Sequence, residues 1–182
     1  FWLSCSQMGY HQARFCLATC LAFPNAQCAT PSAEFPQDHE FIMFLYESAG
    51  REGNLSALVN LGMIYYGKFP GWSQDVNQKY CDVDRAVRIW KIAARAGQAE
   101  ALLNLGHVKY TGHGDHPVNQ TEAFAYWYKA AELGEPRGQF LTALCYLKGT
   151  GVQTDIASAR GWFLKAALQN SNLEVSENAQ QA

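Results

Sequence analysis

The chain has 182 residues, 48% of them hydrophobic and 16% charged, with a formal net charge of -2. That balance is enough for a folded core and argues against chain-wide disorder, while the near-neutral charge argues against a broad basic surface for nucleic acid. No stretch approaches the ~20 consecutive apolar residues that a bilayer-crossing helix needs, so no integral membrane span is expected.

Residues 1–40 read as an N-terminal segment of different character, holding four of the six cysteines: Cys5, Cys16, Cys20 and Cys28. From Met8 a polar stretch ends in Arg14, the apolar run Phe15 to Phe23 follows, and Pro24 and Asn25 precede Ala26. That order fits a secretory signal over about residues 8–26, which implies an extracytoplasmic protein, periplasmic or secreted. It fits equally an ordinary buried helix with Cys16 and Cys20 one turn apart, and then a cytoplasmic location stays open. Pairing among Cys5, Cys16, Cys20, Cys28, Cys81 and Cys145 does not follow from spacing. No Cys-x-x-Cys pair is present to suggest zinc or a redox dithiol.

From residue 41 to 170 the chain repeats itself. Three segments align: Ala86-x-x-x-Trp90-x-x-Ala93-Ala94, Ala123-x-x-x-Trp127-x-x-Ala130-Ala131 and Ala159-x-x-x-Phe163-x-x-Ala166-Ala167. The aromatic positions lie 127-90 = 37 and 163-127 = 36 residues apart. Such a period indicates stacked helical hairpins. A fainter copy, Ile42-x-x-x-Tyr46-x-x-Ala49, makes a leading half repeat. Small and aromatic residues at i, i+4 and i+7 share one helical face, so each segment is an amphipathic helix with an aromatic wedge between alanines. Asp82, Asn119 and Asp155 stand where a side-chain oxygen caps the first turn, and Gly53, Gly97 and Gly134 stand where a helix ends.

A second helix precedes each wedge helix: Ala57 to Tyr65, Ala101 to Gly106 and Phe140 to Tyr146. Gly62, Gly106 and Ala143 share one position in these, which points to a close crossing there. From Gly62 to Ala86 is 24 residues against 17 from Gly106 to Ala123, so an insertion of roughly seven residues lies within 68–84. Its Phe69, Trp72 and Tyr80 are either anchors for a partner or a fold-back cover for the neighbouring repeat. Residues 171–182 read as a tail or the start of a capping helix.

The pattern A-x-x-x-L-G-x-x-Y-x-x-G-x-G-V followed by D-x-x-x-A-x-x-W/F-x-x-A-A-x-x-G resembles the Sel-1-like repeat family, related to tetratricopeptide repeats. Gly149-x-Gly151-Val152 with Asp155 is its best match, while Thr142-Ala143 replaces the usual Leu-Gly. The resemblance implies an all-α, right-handed α-α superhelix, a solenoid of about three repeats plus the leading half repeat. It also implies an adaptor or scaffold for a protein or peptide partner, with no cofactor and no catalytic centre.

In similar tetratricopeptide grooves an asparagine before the Leu-Gly pair holds a ligand backbone, and Asn60 and Asn104 occupy that place here. Met63 and His107, three residues on, share that face, so Asn60, Met63, Asn104 and His107 are the candidate partner-binding residues. The alternative is a hydrolytic, metal-dependent enzyme using His107, His113, Asp115 and His116, residue types that suit zinc. Against it, Gly112 and Gly114 make that stretch a loop, so no metal ligands are expected there. Asn54-Leu-Ser56 and Asn119-Gln-Thr121 are formal glycosylation sequons, although capping already accounts for Asn119.

Overall fold

Short polar side chains decide where the helices begin. In the computed structural model, Asn54, Asp82 and Asn119 each accept a hydrogen bond at 2.9–3.0 Å from the backbone N–H three residues on, and Asp155 accepts from Ala157 and Ser158. These bonds satisfy donors that the first turn cannot pair internally. Gly53, Gly97 and Gly134, all with φ near +90°, sit in the turns that follow three of the wedge helices.

The structure describes residues 10–23 and 38–180, with side chains through residue 169, and its named elements are all helices. Two compact units divide the chain. The first, Phe1–Ala96, contains α1 (Tyr10–Ala22), α2 (His39–Arg51), α3 (Leu55–Tyr65), α4 (Gln74–Lys79) and α5 (Val83–Arg95). The second, Gly97–Ala182, contains α6 (Ala99–Thr111), α7 (Gln120–Glu132), α8 (Pro136–Lys148) and α9 (Ile156–Gln180).

In the first unit α1 packs on α2, α2 on α3, and α3 on α5. Trp90 of α5 is 1% exposed and lies over Gly62, where an added Cβ would collide with the indole. Its Nε1 donates to the Val59 carbonyl at 3.2 Å, so the indole carries its one polar group into the core with a partner. Tyr46 of α2 is fully buried between Phe15 and Phe69, its ring 6.0 and 6.1 Å from theirs. Its hydroxyl lies 3.3 Å from Thr19 Oγ1. Ala18 of α1 is also fully buried, and α1 packs on α2. The leading half repeat therefore has a helical partner, built from the N-terminal segment.

The insertion folds back. Asn77 of α4 accepts from Phe69 N–H at 2.9 Å and donates Nδ2 to the Phe69 and Trp72 carbonyls at 3.2 and 3.1 Å, closing the loop on itself. Phe69 and Trp72 are buried in an aromatic cluster with Phe23, His39, Tyr46 and Tyr80. Of the two roles open to these aromatics, cover for the repeat is the one observed. Aromatic rings that lose roughly 150–250 Å² each to water do not stay outside when an apolar surface is within reach.

In the second unit α6 packs on α7, α7 on α8 and α8 on α9. Trp127 repeats the Trp90 arrangement over Gly106, its Nε1 donating to the Leu103 carbonyl at 3.3 Å. Phe163 departs from it. This ring is only half-buried and packs beside Phe140 at 5.5 Å, so two of the three expected wedges are interior and the third lines an open cleft. Residues 171–180 continue α9. Met8 and the Pro24 to Ala26 stretch invoked for a signal lie outside the described residues, as do Cys5, Cys28 and residues 181–182.

Candidate protein-binding face

Equivalent positions on α3 and α6 carry the two asparagines, yet their surroundings differ. Asn60 is half-buried near the Tyr46 hydroxyl, whose hydrogen-bond partner is Thr19 Oγ1 at 3.3 Å. Burial raises the Tyr46 phenol pKa above its ordinary value, and the polar side chains of Thr19 and Asn60 oppose that rise. Asn104 is half-buried too, but its Nδ2 is shut off from water and makes no hydrogen bond among the described residues. A buried donor without an acceptor costs roughly 1–3 kcal/mol, so this amide is an unfavourable point in the packing of α6. Met63 is half-buried one turn beyond Asn60 on α3. His107 is exposed one turn beyond Asn104 on α6, and its carbonyl accepts from Thr111 Oγ1 at 2.9 Å.

Two polar residues of α8 stand at core positions: Thr142, visible in the sequence as a departure from Leu-Gly, and Gln139, which the sequence reading missed. Gln139 is 3% exposed and Thr142 is fully buried, and Gln139 Oε1 and Thr142 Oγ1 find no hydrogen-bond partner among the described residues. They stand where the preceding copy has Leu102 and Leu105, 139-102 = 37 and 142-105 = 37 residues earlier. A polar residue replacing leucine at a core register is the signal that would have found Gln139 as it did Thr142.

The histidine-rich loop forms a tight reversal. His113 N–H donates to the His116 carbonyl at 3.0 Å and His116 N–H to the His113 carbonyl at 3.1 Å, and the structure does not gather the four residues His107, His113, Asp115 and His116 into a ligand set. Among the described residues no three His, Cys, Asp or Glu side chains converge as a metal site would require. Cys145 is buried, and burial pushes its thiol up to about 11, which leaves almost no thiolate at neutral pH. Cys20 is disulfide-bonded. Asn54 of the first sequon is buried, capping α3 and donating Nδ2 to Gln12 Oε1 at 3.0 Å, and Asn119 of the second caps α7. Among the described residues no helix is long and apolar enough to cross a membrane.

Comparison with known proteins yields a family model, Sel1 repeat, that matches residues 55–98, 99–135 and 136–171. The chain is 28% identical over 123 residues to the ERAD-associated E3 ubiquitin-protein ligase component HRD3B of Arabidopsis thaliana, covering 68% of this chain and 18% of that protein. It is 29% identical over 142 residues to chitin synthase regulatory factor 3 of Schizosaccharomyces pombe, covering 78% and 14%. The chain thus spans less than a fifth of these curated relatives. Among solved structures it is similar to c5321, a protective antigen of uropathogenic Escherichia coli strains with an SLR fold: TM-score 0.70, 29% identity, 90% of this chain and 32% of that one.

Proposed function

The chain belongs to the Sel1 repeat family, and on that premise we propose that it is a protein-interaction scaffold taking a peptide or protein partner on the exposed sides of the first helices of its repeats. The observation that carries the reading is Asn104. Its side chain is half-buried at the groove position of α6, with His107 exposed one turn further on. Asn104, with His107 beside it, is the centre of the face, and Asn60 and Met63 are its equivalents in the first unit. A side-chain amide offers donor and acceptor together, which suits an extended peptide backbone. The relatives, a ligase component and a chitin synthase regulator by their names, support an adaptor role in place of catalysis. No catalytic step is part of this reading.

Peptides selected from a random library on the immobilised full chain test it. Asn104→Ala should weaken the selected peptides by about tenfold, the equivalent of one buried hydrogen bond, with the melting temperature unchanged. Asn60→Ala should instead lower stability by about 1 kcal/mol, because its half-buried side chain lies beside the buried Tyr46 hydroxyl. Peptides indifferent to both Asn104→Ala and His107→Ala would remove the face from consideration.

For location, the disulfide at Cys20 supports an extracytoplasmic, oxidising compartment. The packing of α1 on α2, with Asn54 bonded to Gln12, supports retention of residues 10–22 on the folded protein.

A further inference from the structure

Four of the 14 lysines and arginines lie on α5, at Arg85, Arg88, Lys91 and Arg95. Their spacing of three, three and four residues places them along one side of the helix, in a stripe about 15 Å long. All four are exposed, and Ile92, 56% exposed, lies among them. The opposite side of α5, with Trp90 and Ala93, is buried in the core. Arg88, Lys91 and Arg95 form no ion pair among the described residues, and Arg85 rests on the Tyr65 ring, 4.3 Å from its centre. Like charges three and four residues apart on a helix repel, so the stripe works against the helix that carries it.

The repeat does not call for these charges. One repeat later (122-85 = 37) the positions of Arg85, Arg88 and Arg95 hold Glu122, Ala125 and Glu132. A further repeat on (158-122 = 36) they hold Ser158, Gly161 and Leu168. Helix α7 packs on α6 and α8 with no basic side of this kind, so the charge on α5 is surplus to the fold.

We propose that this side of α5 is a docking surface for an acidic segment of a partner protein. Carboxylates of that segment pair with Arg88, Lys91 and Arg95, and one apolar side chain sits on Ile92. Charge complementarity sets the sign of the partner, and the planar guanidinium forks suit carboxylates in particular. Pairing also relieves the repulsion along α5. A continuous phosphate backbone fits less well, because a chain of formal net charge -2 offers it little beyond the stripe and Asp82 and Asp84 stand at the stripe's N-terminal end. A bilayer fits less well too, since the apolar side of α5 is committed to the core and has nothing to insert. None of these residues is Asn60, Met63, Asn104 or His107, so the two sites stand or fall separately.

The probe is a fluorescein-labelled peptide, AEAAELAEAAEA, whose glutamates flank one leucine, with a control carrying glutamine at every glutamate. Titrated against the full chain at low ionic strength, the acidic peptide should bind saturably and the control about tenfold or more weakly. Arg88→Ala with Arg95→Glu, which gives α5 the residue types α7 has at Ala125 and Glu132, should weaken the acidic peptide by about tenfold or more, with circular dichroism unchanged. Ile92→Ala should weaken it about threefold. Lys129→Glu with Lys148→Glu, a larger charge change made elsewhere, should move the affinity by less than about twofold. Absence of saturable binding, or equal losses from the two double variants, overturns the proposal. Tighter binding of single-stranded DNA or of phosphatidylserine vesicles, abolished by the α5 variant, would assign the stripe to nucleic acid or a membrane surface and overturn it as well.

Discussion

A single indole shows how a repeat residue acquires its role. Trp127 is expensive to bury unless its N–H finds an acceptor, and the Leu103 carbonyl supplies one at 3.3 Å. Gly106 supplies the room, since a methyl there would overlap the ring. Trp127→Ala should therefore cost roughly 3–5 kcal/mol in urea unfolding, the usual range for a large buried aromatic. Phe163→Ala, at the equivalent position, should cost clearly less, because that ring is half-exposed and has no buried polar partner. Equal losses would mean that the cleft is closed in solution. The aromatic register was legible from the period of the sequence. Which carbonyl would accept from the indole was not, because it depends on how two helices cross, and spacing along the chain does not encode that.

At the scale of an element, α4 is the informative case. Six residues make too short a helix to persist alone, even with the helix-favouring Gln74, Gln78 and Lys79. It exists because Asn77 ties it to the Phe69 and Trp72 backbone and because Phe69 and Trp72 are drawn into the aromatic cluster. Asn77→Ala should cost about 2–3 kcal/mol, the range for leaving buried backbone groups unpaired. Near-ultraviolet circular dichroism should register the same loss, as the environment of Trp72 loosens. A variant as stable as the wild type would show that the rings alone hold the insertion. Helix starts at Asp82, Asn119 and Asp155 were readable because a cap is a local bond spanning three residues. The fold of the insertion was not, because its partners Phe23, His39 and Tyr46 lie more than 20 residues away in sequence.

For the whole molecule, α1 carries a consequence for where the protein resides. If residues 10–22 are part of the folded protein in an oxidising compartment, tryptic mass spectrometry of protein isolated from its native source should recover peptides from Tyr10–Ala22 with Cys20 protected from alkylation until reduction. A mature chain starting beyond Ala26 would instead support the cleaved-signal alternative. The linear code also carried the helical class, the three-fold repetition and the family, because amphipathic period, caps and small-residue positions are set by neighbours within a turn or two. Tertiary structure alone decided that the Asn104 amide is buried without a partner among the described residues, that the insertion covers a core, and that Phe163 borders a cleft. Each of those outcomes depends on which helix lies against which, and repeats of equal sequence register can meet different neighbours.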